Sequence, residues 1–303
     1  MRVLVVGATG VLGRETVRCL RAQGHEVRGM TRDAARAGDL AARGVEAVIG
    51  DLVDPASLDC ACEGVDVVFA AAHGALGRGK YRSEAVDDAG HCALIDAARR
   101  AGATRFVYTS ALGAAPDHAV DFLRTKFAIE RYLAQSGLPH VVLRPSAFME
   151  WHVHTFNGKS LLEKGRVIIL GSGTKKRNFV AARDVAAVAA VALTGPMPAE
   201  RIITIAGPGD FSNDEVASTY ARLAQVPLRI GHVPRAMLSA LGAVARPLHP
   251  GVARIMRIAS LSDDAFPEIV DGAVDVVGTT TLEAFVHERV LENRAMKSGR
   301  TAR

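Results

Sequence analysis

Through its first half the chain alternates short runs of consecutive apolar, β-branched residues with longer stretches in which apolar positions recur every three or four residues. The runs predict strands near 2–6, 25–30, 45–49, 65–71, 104–109 and 139–143. Helices fall between them, one over 14–23 and another carrying Phe122, Lys126, Ile129 and Leu133 on a single stripe. Strands that are apolar without alternation are buried on both faces, and strands joined through helices pair in parallel by right-handed crossovers. The pattern therefore predicts an α/β, doubly wound parallel sheet. After Arg144-Pro145 it loosens, and a further strand over 201–206 follows a helix over 184–193 that Asp184 would cap. Residues 1–206 read as one domain, with 144–180 contributing to a smaller, mostly helical C-terminal lobe over 207–292. Within that lobe, Ala236 to Ala245 fits core or a subunit contact, core being the commoner outcome. The basic tail, 293–303, is expected to be disordered.

Composition narrows the function classes. With 49% hydrophobic and 23% charged residues among 303, the chain is of the folded globular class and not the disordered one. The net charge of +5 gathers at the end, where Arg289, Arg294, Lys297, Arg300 and Arg303 face Glu292 alone. With aromatics at 5%, this basic balance does not predict a nucleic-acid partner. No apolar stretch approaches the roughly 20 residues that span a bilayer. Met1-Arg2 leads straight into Val3-Leu4-Val5-Val6, unlike a secretory leader, so a cytoplasmic protein without a membrane partner is expected. Cys19, Cys60, Cys62 and Cys92 make neither a disulfide framework nor a zinc spacing, so reduced thiols and no metal site are expected.

The first strand runs into Gly7-Ala8-Thr9-Gly10-Val11-Leu12-Gly13 and then a helix. Glycines in such a turn let backbone approach a pyrophosphate, while the N–H groups at the helix start bind its charge. The strand-turn-helix-strand context predicts a dinucleotide site formed by Gly7, Thr9, Gly10, Val11, Leu12 and Gly13. At the end of the second strand stand Thr31-Arg32-Asp33. Arg32 there would pair with a 2′-phosphate, favouring NADP(H) over NAD(H); Asp33 either takes the acidic position of an NAD site or caps the next helix. Asp51-Leu52, after the third strand, suits an adenine-edge contact, or for Asp51 the capping of the segment beginning at Pro55.

With these residues the chain resembles the atypical short-chain dehydrogenases/reductases, and within them the NmrA-like NAD(P)H-binding branch. Tyr108-Thr109-Ser110, Leu143-Arg144-Pro145 to Phe148-Met149-Glu150, and Asn178-Phe179-Val180 to Asp184-Val185-Ala186 add to the likeness, which spans Gly7 to about Ala206. The resemblance implies a Rossmann sheet with a nicotinamide across the strand ends, near Ala71, Ala72, Pro145 and Phe148. It also implies a serine that orients a carbonyl, at Ser110, and a tyrosine and lysine four residues apart. Lys126 holds the lysine position, but the tyrosine position is Phe122, whose ring has no proton to give. A lysine within an apolar stripe needs a polar partner, for which a ribose hydroxyl is the candidate. His73, Tyr81 and His118 are other possible proton donors. His73, Phe122, Met149, Trp151 and His152 are expected to line a small-molecule substrate pocket. If the segment Trp151 to His154 is helical, its two histidines point apart and cannot share a metal. The loop Gly171-Ser172-Gly173-Thr174-Lys175-Lys176-Arg177 lacks the strand-to-helix context of a P-loop and reads as a solvated turn. Two functions follow: reduction of a carbonyl, quinone or conjugated double bond by NADPH, or a non-catalytic redox sensor that answers to a protein partner. A sugar-nucleotide epimerase is the reading most weakened by Phe122.

Overall fold

The computed structural model describes residues 1–74, 84–265 and 273–301. In chain order its elements are β1 (Arg2–Val6), α1 (Val11–Ala22), β2 (Glu26–Thr31), α2 (Ala34–Ala41), β3 (Glu46–Ile49), α3 (Pro55–Cys62) and β4 (Val67–Ala70). A π-helical turn (Glu84–Ala89) then leads into α4 (Gly90–Arg100), β5 (Arg105–Thr109), α5 (Asp121–Gln135) and β6 (His140–Pro145). After β7 (Ala147–Phe148) come a π-helix (Glu150–Gly158), α6 (Lys159–Lys164), β8 (Val167–Leu170), β9 (Arg177–Val180), α7 (Ala182–Thr194) and β10 (Arg201–Ala206). The remainder holds β11 (Asp210–Phe211), α8 (Asn213–Ala224), β12 (Ile230–Val233), α9 (Arg235–Ala245), α10 (Pro250–Ala265), β13 (Val276–Val277) and α11 (Leu282–Thr301).

The main sheet has eight strands in the order β13-β10-β6-β5-β4-β1-β2-β3. From β6 to β3 every neighbour pairs in parallel. Val3, Leu4, Val5 and Val6 are all fully buried, as a strand covered on both faces requires. Leu4 and Val6 join a core with residues of α3, α4 and α5, including Leu58, Leu94, Ile129 and Leu133. On the other face α1 packs against α7. Strand order reverses between β1 and β4, and at such a switch point the ends of adjacent strands part to leave a crevice.

Two compact units make up the chain: Met1–Pro145 with Ala182–Thr204, and Ser146–Ala181 with Ile205 onward. In the second, Met149, Val153, Phe179, Tyr220, Phe285 and Val286 form a separate buried cluster. Asn178 ties its loops together: its amide nitrogen donates to the carbonyls of Gly207 and Gly209, and its oxygen accepts from Ser146 Oγ and the Gly207 N–H.

Three expectations give way here. α7 begins at Ala182, so Asp184 lies in its first turn, where its charge meets the positive helix end, and not at the cap. The tail expected to be disordered, 293–303, continues α11 as far as Thr301, and within it Lys297 Nζ donates to the Leu162 carbonyl at 3.0 Å. The stretch 236–245 is not core, because α9 turns only Leu238 fully inward while it packs on α10.

Candidate functional site

The glycine turn occupies the switch point. Gly7 has φ +91°, open to glycine at little cost, and a Cβ there would stand 2.9 Å from the Ala72 nitrogen. A Cβ on Gly13 would fall 2.1 Å from the Gly7 carbonyl oxygen. These two glycines thus set the turn tightly between the end of β4 and the start of α1. Gly10 N–H closes the turn on Gly7 O at 2.8 Å, and the first α-helical bond is Arg14 N–H to Gly10 O at 3.0 Å. The N–H groups of Val11, Leu12 and Gly13 therefore have no intrahelical acceptor. Gly10 supplies no side-chain cap, and the first turn of α1 carries no acidic residue. Donors without a carboxylate to satisfy them, at a positive helix end, suit a pyrophosphate. Ala71 is fixed beside the turn by its N–H to Val6 O at 3.0 Å.

Behind the ends of β5 and β6 lies a buried polar cluster, all of it in the first unit. Lys126 is 4% exposed, and its Nζ donates to the Thr109 carbonyl at 2.9 Å. The ammonium sits 4.9 Å from the ring centre of Tyr108 and 5.5 Å from that of Phe122. Burial pushes the Lys126 pKa down to about 8, against the opposing pull of Asp87 and Glu130. One turn on along α5, Glu130 accepts from Arg144 through both oxygens, at 2.9 and 2.5 Å, and also from Ser110 Oγ. The Ser110 proton is therefore directed at Glu130 and not at a substrate carbonyl. Tyr108 is fully buried with its phenol pushed well above the usual range by desolvation. Its hydroxyl, shut off from solvent, has no hydrogen-bond partner among the described residues. His91, edge-on to Tyr108 at 5.5 Å, is held neutral, its pKa pushed down to about 4 by burial and by Lys126.

The other expected site residues fall in several places. Thr31 Oγ1 accepts from the Asp33 N–H at 3.2 Å, and Asp33 accepts from Ala35 N–H at 2.9 Å. Asp33 is thus the cap of α2, which leaves exposed Arg32 as the charged group at the end of β2. Asp51 accepts from Val53 N–H at 3.3 Å in a turn, while Asp54 takes the cap position of α3. Leu52 is core. Pro145 is buried at the end of β6, its carbonyl bonded to Leu112 N–H at 2.9 Å. His73 is exposed, and His118 Nδ1 accepts from Val120 N–H at 3.0 Å. Tyr81 lies outside the described residues.

In the second unit, half-buried Phe148 lies on β7. Met149, expected in the substrate pocket, is instead fully buried in the core cluster and offers no surface to a ligand. Trp151 is 38% exposed and packs on Phe156. His152 sits edge-on to Phe156 at 5.6 Å, its pKa pushed down to about 4 by burial and Arg177. His154 turns to Tyr220, with Nδ1 3.0 Å from its hydroxyl.

Sequence reasoning missed Glu130, Asp87 and His91. Glu130 had a signal, the four-residue spacing from Lys126 that puts both on one helix face. Asp87 and His91 come from another segment, and only the sheet brings them near.

Comparison with known proteins accords with this geometry. The sequence model of the NAD(P)H-binding family matches residues 7–196, which include the turn and the whole Lys126 cluster. The NAD(P)H azoreductase of Xenophilus azovorans is 36% identical over 228 residues, 75% of each chain. The photosystem II assembly factor Ycf39 of Synechocystis sp. is 30% identical over 297 residues, 95% of this chain and 90% of the other. The solved structure of Citrobacter sp. triphenylmethane reductase with NADP(H) matches with a TM-score of 0.75 at 21% identity, covering 96% of this chain and all of the other. At that identity the likeness is one of fold.

Proposed function

The chain belongs to the NAD(P)H-binding family of atypical short-chain dehydrogenases/reductases, and from that premise we propose that it is an NADP(H)-dependent reductase of conjugated acceptors such as quinones, azo compounds or conjugated double bonds. The observation that carries this reading is the pairing of a retained, buried Lys126 ammonium with a phenyl ring in the place of the proton-donating tyrosine.

When bound, the nicotinamide supplies a hydride. The chain's own residues bind and orient around it: the N–H groups of Val11, Leu12 and Gly13 take the pyrophosphate, and exposed Arg32 takes the 2′-phosphate. Lys126 keeps two N–H bonds beyond the one to Thr109 and offers them to a ribose hydroxyl. Glu130 and Arg144 hold Ser110 and the strand ends in register as positioning residues. Reduction needs one proton besides the hydride. Without a tyrosine this proton comes from water, which favours acceptors whose reduced anion is delocalised, and disfavours isolated ketones, whose alkoxide needs a donor at hand.

NADPH oxidation by the purified protein, with a quinone, an azo dye, an enone and a simple ketone each in turn, tests the proposal. Turnover above the protein-free rate on the first three, and little on the ketone, is the expected result. Tight NADPH binding with no oxidation of any acceptor would refute it and leave the cofactor-sensing reading, which Phe122 also fits.

A further inference from the structure

We propose that α9 is a docking face for an anionic lipid surface. Met237, Leu241 and Val244 lie on one stripe of α9, and Leu248 continues the spacing in the turn that follows it; they are 53, 47, 70 and 80% exposed. Only Leu238 of this helix is fully buried, and Gly242 allows α10 to approach, since a Cβ there would lie 3.3 Å from Met256 Cβ. From Ala236 to Ala245 the one polar side chain is Ser239. Nothing on α9 or α10 that the structure describes covers the stripe.

Charge identifies the occupant. Between Glu215 and Asp263 the sequence has no carboxylate, while Arg229, Arg235, Arg246 and Arg257 are exposed and Arg254 is half-buried. Pairing with a second copy would set these arginines against themselves. A protein groove would want an aromatic or hydrogen-bonding anchor, and the stripe has none. A lipid surface asks only for apolar side chains that enter the acyl boundary and cations that meet its phosphates. The absence of a spanning segment, from which the sequence predicts no membrane partner, does not bear on this kind of contact: no helix among the described residues is long and apolar enough to cross a bilayer, yet surface binding needs only a face.

The test is co-flotation of the full chain with vesicles of phosphatidylcholine alone or with about one third phosphatidylglycerol. The expected result is at least about tenfold stronger partitioning to the anionic vesicles, weakened by high salt. The variant Met237→Glu/Leu241→Glu should lose it while keeping the wild-type unfolding temperature and NADPH affinity; Arg246→Glu/Arg257→Glu, a second variant, should also lose it. Equal partitioning to both vesicle types, or none, would overturn the proposal. So would self-association in sedimentation velocity, without vesicle binding, that the first variant abolishes, because it would assign the stripe to a second copy.

Discussion

Replacing Lys126 with methionine should make the ligand-free protein more stable and worse at binding its cofactor. The side chain is buried among Tyr108, Phe122 and the end of β5, and its pKa is pushed from the ordinary lysine value down to about 8. That displacement corresponds to about 3 kcal/mol of folding free energy lost to the buried charge at neutral pH, net of Asp87 and Glu130. Methionine keeps the length and removes the charge, while the lost bond to the Thr109 carbonyl costs about 1 kcal/mol. The net gain is on the order of 1–2 kcal/mol. Because the folded pKa is lowered, the unfolded chain holds more protons between about pH 8 and 10.5, so the wild type gains stability as pH rises through that window. Urea unfolding of both proteins at a series of pH values, with equal slopes, measures the difference. It should favour the variant at pH 7 and shrink or reverse toward pH 10, while NADPH affinity falls at least about tenfold, or 1.4 kcal/mol, at every pH. A variant less stable than wild type at pH 7, with a pH-independent difference, would refute the buried charge penalty.

Gly13→Ala forces a methyl to within 2.1 Å of the Gly7 carbonyl oxygen, so NADPH binding should be lost, and thermal unfolding should show a cost of at least about 2 kcal/mol. Glu130→Gln removes the carboxylate that Arg144 grips with two bonds and should destabilise by about 3 kcal/mol in denaturant unfolding. Arg32→Ala should narrow the gap between NADPH and NADH dissociation constants by about tenfold, leaving NADH binding unchanged. Phe122→Tyr puts a hydroxyl on the ring beside Lys126; reduction of a simple ketone should rise at least about tenfold if the missing proton limits it.

The parts of this protein legible in sequence are those whose physics is local. Val3 to Val6 announce a doubly covered strand because every one of them must be apolar, and Gly13 is required by its contact with Gly7 six residues away and Gly7 by its own positive φ, although Gly7 also faces Ala72 of a distant strand end. Lys126 could be found because a charge inside an apolar stripe is itself anomalous. The cluster around it was not readable, since Asp87 and His91 reach it only through strand order, and Ser110 meets Glu130 across twenty residues. Met149 is not placed by the sequence, because it is buried among Phe179, Tyr220 and Phe285, which come from distant parts of the chain. α9 shows the opposite limit. Its apolar pattern is plain, but an apolar helix does not say what covers it.

In the proposed reaction a cofactor bound at the glycine turn would supply a hydride to the acceptor, with no protein tyrosine donating the proton. The most direct test is to load the protein with NADPH carrying deuterium at C4, in each stereochemical form, and to analyse the product of an enone by mass spectrometry. Deuterium is expected at carbon of the product from one form and not the other. Bound NADPH that stays reduced, or a product free of deuterium from both forms, would contradict that reaction.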